Sequence, residues 1–241
     1  MQISVIIMCV IGGYLLGSIS LARVVTRIFS PGTKLEEVDL PDANTGGTFT
    51  LKTVGATTAS VILGPRIGGL IGLLDILKGA LPALILRLIF PDQPYFLFAG
   101  TAVIIGHIWP LYYHLRGGGG LSPALGVLLV LDPVGTLISV LVAFILGIFI
   151  IREISFTVMG GPWLFIIWIA VRTVNWVYIV FSVLINVILL IAVLPDIRIH
   201  LRAQKDGKTD LSTSMDSIPM GRMMKKMMDK MSLSPHKKER N

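Results

Sequence analysis

The chain is poor in charge and almost without cysteine. Asp, Glu, Lys and Arg make up only 15% of its 241 residues, against roughly 25% in soluble domains. That leaves too little polar surface to cover a water-soluble body, so a soluble fold is excluded. The single cysteine, Cys9, rules out an internal disulfide framework and reads as a small packing residue in an apolar run. The common signatures of metal, nucleotide and hydrolase chemistry are missing too. No Cys/His cluster has zinc spacing, and there is no Walker loop, no G-x-S-x-G elbow and no G-x-G-x-x-G. An H-x4-D pair is absent as well, because Lys205 stands where His200 would require the acid. Nothing in this inventory points to a metal or a cofactor.

What the chain has instead is apolar length. Hydrophobic residues are 54% of it and the mean hydropathy is +0.80, so the bilayer is the solvent for most of it. The expected fold is all-α: a polytopic transmembrane bundle of about seven segments, several of them short or broken. A spanning helix needs about 20 apolar residues. On that basis spans are predicted near 3–25, 67–90, 95–115, 121–131, 134–151, 162–171 and 174–194, within one transmembrane domain over 1–210. No basic stretch precedes Ile3, so the first run reads as a retained helix rather than a cleaved signal. Arg23 and Arg27 close it, and the polar, Gly/Thr-rich stretch from Ser30 to Ser60 reads as a loop outside the hydrocarbon. The third span carries His107 and Pro110 inside it. The run from Leu121 to Ile151 would be about 46 Å as one helix, so Asp132-Pro133 is read as a break. Pro162 to Pro195 is also too long, with its turn at Arg172-Thr173.

Basic residues set the expected orientation. Eleven of the 21 Lys and Arg residues lie from Arg198 onward, which marks the C-terminal side as cytoplasmic rather than pointing to nucleic acid. Seven crossings then put the N-terminus outside and the C-terminus in the cytoplasm, with the candidate loops at the cytoplasmic face. Arg87 and Arg172 fall near the outer face, where snorkelling would accommodate them. The tail 211–241 is basic and Met/Lys-rich. It suits an amphipathic helix on anionic lipid and a disordered tail equally.

Three loops on the expected cytoplasmic side hold the candidate functional residues. The first runs from Asp42 through Asn44, Gly46 and Gly47 to Lys52. Its small residues allow close backbone approach, and consecutive N–H groups can form an anion nest beside Lys52. By composition alone it reads first as a flexible membrane loop. The second is Gly106-His107-Ile108-Trp109-Pro110, followed by Arg116 and Gly117 to Gly120. Here Arg116 beside bare amides suits a phosphate cradle, and is equally a simple inside anchor. The third joins Arg152-Glu153-Ile154-Ser155 to His200 after the last span. Asp75 and Lys78 lie three apart inside the second span and read as a structural pair.

These motifs, in this order, resemble a bacterial membrane family that acylates glycerol 3-phosphate using acyl phosphate. Tyr14-Leu-Leu-Gly-Ser-Ile19 resembles the family's opening helix. Asp42 to Lys52 lies without a gap over S-G-N-x-G-A-T-N-V-x-R, matching at Asn44, Gly46 and Thr48. Gly64-Pro65 and Leu74-Asp75-Ile-Leu-Lys78-Gly79 resemble its second helix. G-H-x-F-P, then F-K-G-G-K-G-V-A-T, matches at Gly106, His107, Pro110, Gly117, Gly118 and Gly120. Arg152-Glu-Ile-Ser155 resembles R-Y-V-S, and His200 is what remains of H-R-E-N. Asp42, Lys52, Arg116, Gly119 and Ala203 stand where the family has Ser, Arg, Lys, Lys and Asn.

The resemblance covers about residues 1 to 210. It implies a membrane enzyme that makes lysophosphatidate from glycerol 3-phosphate and acyl phosphate for phospholipid synthesis, without metal or coenzyme A. On that implication Lys52 and Arg116 bind phosphate, and Asn44, Gly46, Gly117, Gly118 and Gly120 shape the anion nest. Ser155, His107 and His200 form the catalytic set that orients substrate. The substituted positions keep a second reading open, a catalytically altered or inactive relative that binds lipid or a partner. A transporter or channel is a third, opposed by the gathering of charge at one face.

Overall fold

A computed structural model describes residues 1–33, 35, 38–41, 48–51, 53–151 and 154–205, with 38–41, 48–51, 154–155 and 195–205 described by backbone alone. Its elements are α1 (Ile3–Gly17), α2 (Leu21–Phe29), strands β1 (Val38–Pro41) and β2 (Thr48–Leu51), α3 (Ala56–Leu63), α4 (Pro65–Ile89), α5 (Tyr95–Ile108), α6 (Leu121–Leu131), α7 (Pro133–Ile145), α8 (Ile154–Thr173) and α9 (Trp176–Lys205). A 3-10 turn covers Leu111–Tyr113, and a π-helical segment, Leu146–Ile151, prolongs α7. The molecule is a helical membrane protein. Among the described residues six helical stretches are long and apolar enough to cross a bilayer, and α6 is a seventh, shorter apolar helix.

Several boundaries differ from expectation, each for a local reason. The first apolar run is two helices, because the chain turns at Ser18–Ser20. Ser18 Oγ bonds back to Tyr14 O, and Ser20 Oγ caps α2 by accepting from Arg23 N–H. The polar stretch from 30 to 60 is no plain loop: it contains the start of α3 and an antiparallel hairpin pairing Val38 with Leu51 and Pro41 with Thr48. The third helix stops at Ile108, which leaves Pro110 outside it, since a residue before proline is disfavoured in the α region. Trp109 accordingly has φ −121° and ψ 71°. Finally, α8 starts at Ile154 and passes straight through Pro162. Asn186 of α9 donates to the Pro162 carbonyl at 3.0 Å, an interhelical hydrogen bond that ties α9 to α8 at this point. The tail 211–241 lies outside the described residues.

Apolar side chains gain little by leaving lipid for one another, so close approach and interhelical hydrogen bonds hold such a bundle together. Gly13 and Gly17, four apart on α1, leave no room for a side chain against Ala99 and Val103 of α5. Gly126 of α6 is just as tight against Ile76 of α4. Phe165, Ile104, Val127, Leu128 and Ile185 fill the core between α5, α6, α8 and α9.

The short α6 sets the depth of everything that follows. Its 11 residues reach about 16 Å, roughly half of a 30 Å hydrocarbon core. Its first turn meets Gly79 in the middle of α4 through Pro123. Its last turn receives Arg87, near the end of α4, which donates to the Val130 and Leu131 carbonyls. The loop preceding α6 is therefore recessed into the bundle rather than held at its edge.

Candidate functional site

Each element that ends near the start of α6 contributes to one cluster. At the last turn of α5, His107 is buried, with Nδ1 3.1 Å from Lys78 Nζ and 3.4 Å from Asp75 Oδ1. Lys78 Nζ lies 3.1 Å from the same Asp75 oxygen and donates to the Gly17 and Ile19 carbonyls at 3.1 and 3.0 Å. Those carbonyls are freed by the turn between α1 and α2. A buried ammonium is expensive unless it is paired and hydrogen-bonded. Here one lysine meets an acid, an imidazole and two orphan carbonyls. The pair expected on α4 is thus a triad that links α1, α4 and α5.

The glycine loop rests on this triad. Gly118 N–H donates to His107 O at 3.1 Å, and a Cβ on Gly118 would strike the ring at Nε2. Gly117 is equally confined by His107 O and Pro110. The approach is a compact turn, with Tyr113 and Leu115 N–H both donating to Pro110 O and Arg116 N–H donating to Tyr113 O at 3.0 Å. His114 and Leu115 take positive φ values of 51° and 60°, a rare conformation for a branched residue such as Leu. From the other side, Tyr14 Oη donates to Trp109 O at 2.9 Å, and Leu111 N–H donates to Ser18 Oγ at 3.2 Å.

The segment after Lys52 reaches the same loop. Val54 N–H donates to Gly117 O at 2.9 Å. Two motif regions more than 60 positions apart thereby share a backbone hydrogen bond. The last helix arrives too: Gly119 faces Val193, and Gly120 packs against Ile108 and Leu189.

The electrostatics favour an anion. Intrahelical bonding leaves the first N–H groups of α6 directed at the loop, at the positive end of the helix dipole. Arg116 is exposed at the loop's rim. The Arg23 guanidinium lies over the Tyr113 ring at 4.4 Å from its centroid, adding a second cation on that side. Among the described residues no group of three His, Cys, Asp or Glu could hold a metal.

The predicted site residues divide accordingly. His107, Gly117, Gly118, Gly120 and Arg116 come together. His107 lies beneath the loop, where its described contacts are with Lys78, Asp75 and the glycine backbone. Asn44, Gly46 and Lys52 lie outside the described residues, as does Asp42. Ser155 starts α8 and His200 lies in α9, both described by backbone alone. Asp75 and Lys78 are absent from the predicted site set. A charged i, i+3 pair in one span, with a lone histidine in the next, was the signal for them.

Comparison with known proteins sharpens this picture. The family model described as glycerol-3-phosphate acyltransferase matches residues 7–202. A glycerol-3-phosphate acyltransferase of Myxococcus xanthus is 38% identical over 144 residues, which is 59% of this chain and 68% of that protein. One from Halalkalibacterium halodurans is 36% identical over 139 residues, covering 56% and 60%. One from Aquifex aeolicus is 39% identical over 142 residues, covering 58% and 66%. The chain thus matches about two thirds of the length of these relatives. Among solved structures, PlsY (YgiH), an integral membrane glycerol 3-phosphate acyltransferase, superposes in its lysophosphatidic acid form with a TM-score of 0.67 at 26% identity, covering 85% of this chain and 94% of that one. Its glycerol 3-phosphate form gives 0.66 at 28% identity, with the same coverage.

Proposed function

The chain belongs to the glycerol-3-phosphate acyltransferase family, and from that membership we propose that it transfers an acyl chain from acyl phosphate to glycerol 3-phosphate, forming lysophosphatidate at the glycine loop. The observation that carries this reading is the hydrogen bond from Val54 to Gly117, which sets the segment after Lys52 against the Arg116–Gly120 loop. A cation from each segment can then bracket phosphate, while loop and α6 N–H groups supply fixed donors.

In the reaction the glycerol hydroxyl oxygen bonds to the acyl carbonyl carbon. The bond from that carbon to the phosphate oxygen breaks, and inorganic phosphate leaves carrying the hydroxyl proton. Lys52 and Arg116 hold the phosphates of the two substrates. Asn44, Gly46, Gly117, Gly118 and Gly120 shape the backbone that receives them, and Ser155 and His200 orient the glycerol from α8 and α9. His107 acts from below by fixing the loop. Charge stabilisation of this preorganised kind is commonly the largest catalytic contribution.

We place the glycine-loop face in the cytoplasm of a bacterial inner membrane, with the N-terminus outside. Arg27, Arg66, Arg116, Arg198 and Arg202 fall at the loop end of the bundle, as the positive-inside rule requires. Arg87 and Arg172, at the opposite end, are tied to carbonyls and to Asp132.

A second reading is favoured by Gly119, which stands where the family carries Lys: a relative that binds anionic lipid without turnover. Substitution separates the two. Lys52→Ala and Arg116→Ala should each lower kcat/KM for glycerol 3-phosphate by about tenfold or more, the value of a charge-assisted hydrogen bond. A folded protein whose lipid binding tolerates both changes, with no product formed by the parent, would favour the second reading.

A further inference from the structure

At the end of the bundle away from the glycine loop, the structure holds a second polar cluster that the transfer reaction does not use. Asp132 ends α6 and caps α7, accepting from Gly135 N–H at 3.0 Å. Its carboxylate takes Trp168 Nε1 at 3.0 Å and Arg172 Nη1 at 2.7 Å to each oxygen. Arg87 comes from α4 and spends its described hydrogen bonds on the α6 carbonyls. Arg87 and Arg172 thus line one pocket with a single carboxylate, Asp132, a local excess of one positive charge. The Asp132 side chain is 7% exposed but that of Arg172 is 50% exposed. Nη2 and Nε of Arg172 have no hydrogen-bond partner among the described residues.

Two cavities meet at Arg172. One, of about 240 Å³, lies between Arg87, Asp132, Arg172 and Tyr178. The other, about 620 Å³, is a groove between α7 and α8 lined by apolar side chains including Ile138, Val142, Leu164 and Ile167, with Arg172 at its mouth. Its volume is within the usual range for small-molecule sites, roughly 300–1,000 Å³. A cationic pocket that shares Arg172 with an apolar groove has the form of one molecule, with an anionic head and a hydrocarbon chain.

We propose that this is a binding site for an anionic phospholipid of the leaflet facing away from the glycine loop. The phosphate lies between Arg172 and Arg87, and one acyl chain runs along α7 and α8. The net positive charge favours an anionic headgroup over a zwitterionic one. The free donors of Arg172 supply the fork geometry that phosphate recognition uses. The site is separate from the proposed reaction and does not depend on it.

The test uses the full-length protein in nanodiscs and a phosphatidylglycerol probe with a photoreactive acyl chain. Labelling should map to 134–142 and 164–171. Unlabelled phosphatidylglycerol should compete at least about tenfold better than phosphatidylcholine, and inorganic phosphate should not compete. Arg172→Gln should weaken labelling about tenfold. Because that change leaves Asp132 without its partner, Ile167→Trp serves as a second variant: it fills the groove, keeps the ion pair, and should also suppress labelling. Labelling elsewhere, equal competition by phosphatidylcholine, competition by inorganic phosphate, or full labelling of folded Ile167→Trp would each overturn the proposal.

Discussion

Gly118 and Gly119 are neighbours with opposite tolerance, and the difference bears on activity. A side chain at Gly118 would collide with His107, whereas one at Gly119 would meet, among the described residues, only Val193, at 3.9 Å. Gly119 is also free of the positive φ that confines Gly120. A lysine therefore fits at 119, where the family carries one. Gly119→Lys should lower KM for the phosphate substrates by about tenfold, as expected for one added charge-assisted hydrogen bond. Steady-state kinetics check this, and an unchanged KM would show that position 119 does not face phosphate. Lys78 tests the support beneath. Lys78→Met strands Asp75 and two carbonyls, and removing one partner of a buried ion pair typically costs about 3–5 kcal/mol. Thermal unfolding in detergent should show a large fall. Asp75→Leu with Lys78→Met should recover part of it, because both members of the ion pair are then removed together. A double variant no more stable than the single one would mean that the freed carbonyls dominate.

At the scale of elements, much of the bundle was legible because a bilayer demands long apolar runs. Asp132-Pro133 and Arg172-Thr173 were legible as helix ends, since proline and charge interrupt such runs. What escaped were features written in contacts. The turn after Gly17 sits inside continuous apolar sequence, and becomes visible only when Lys78 is seen to bond the carbonyls it frees. The end of α5 depended on which side of Trp109 the proline would act. The entry of α8 was hidden by Gly160-Gly161-Pro162, which resembles a helix start although the helix runs through it. In the site, Arg116 and the glycines were readable as a motif, whereas the meeting of His107 with Asp75 and Lys78 across two helices was not. The junction of α6, α7 and α8 yields a pH prediction. Burial opposes the charge on Asp132, but the Gly135 amide, Trp168 and Arg172 outweigh it and hold the carboxyl below its usual range. A depressed folded value stabilises above the unfolded pKa of about 3.9 and is lost as pH falls through the folded one. Asp132→Asn should therefore lower Tm at pH 5–8 by the equivalent of about 1 kcal/mol or less. The gap should narrow below about pH 4, and a gap that persists unchanged at pH 3 would contradict this electrostatic account.

On the scale of the whole molecule, the short α6 separates two chemistries. Its N-terminus holds the glycine loop against a buried triad, and its C-terminus is held by Arg87 beside the Asp132 cluster. The crossings alternate so that residues 53–55, the glycine loop, the start of α8 and the end of α9 reach one side. Family membership and this convergence lead to the same central claim, acyl transfer from acyl phosphate to glycerol 3-phosphate. The most direct measurement follows purified protein in lipid with both substrates, recording lysophosphatidate and inorganic phosphate together. The account predicts equal amounts of each, growing linearly with enzyme and dependent on glycerol 3-phosphate. No lysophosphatidate above background, while a family member is active alongside, would contradict it.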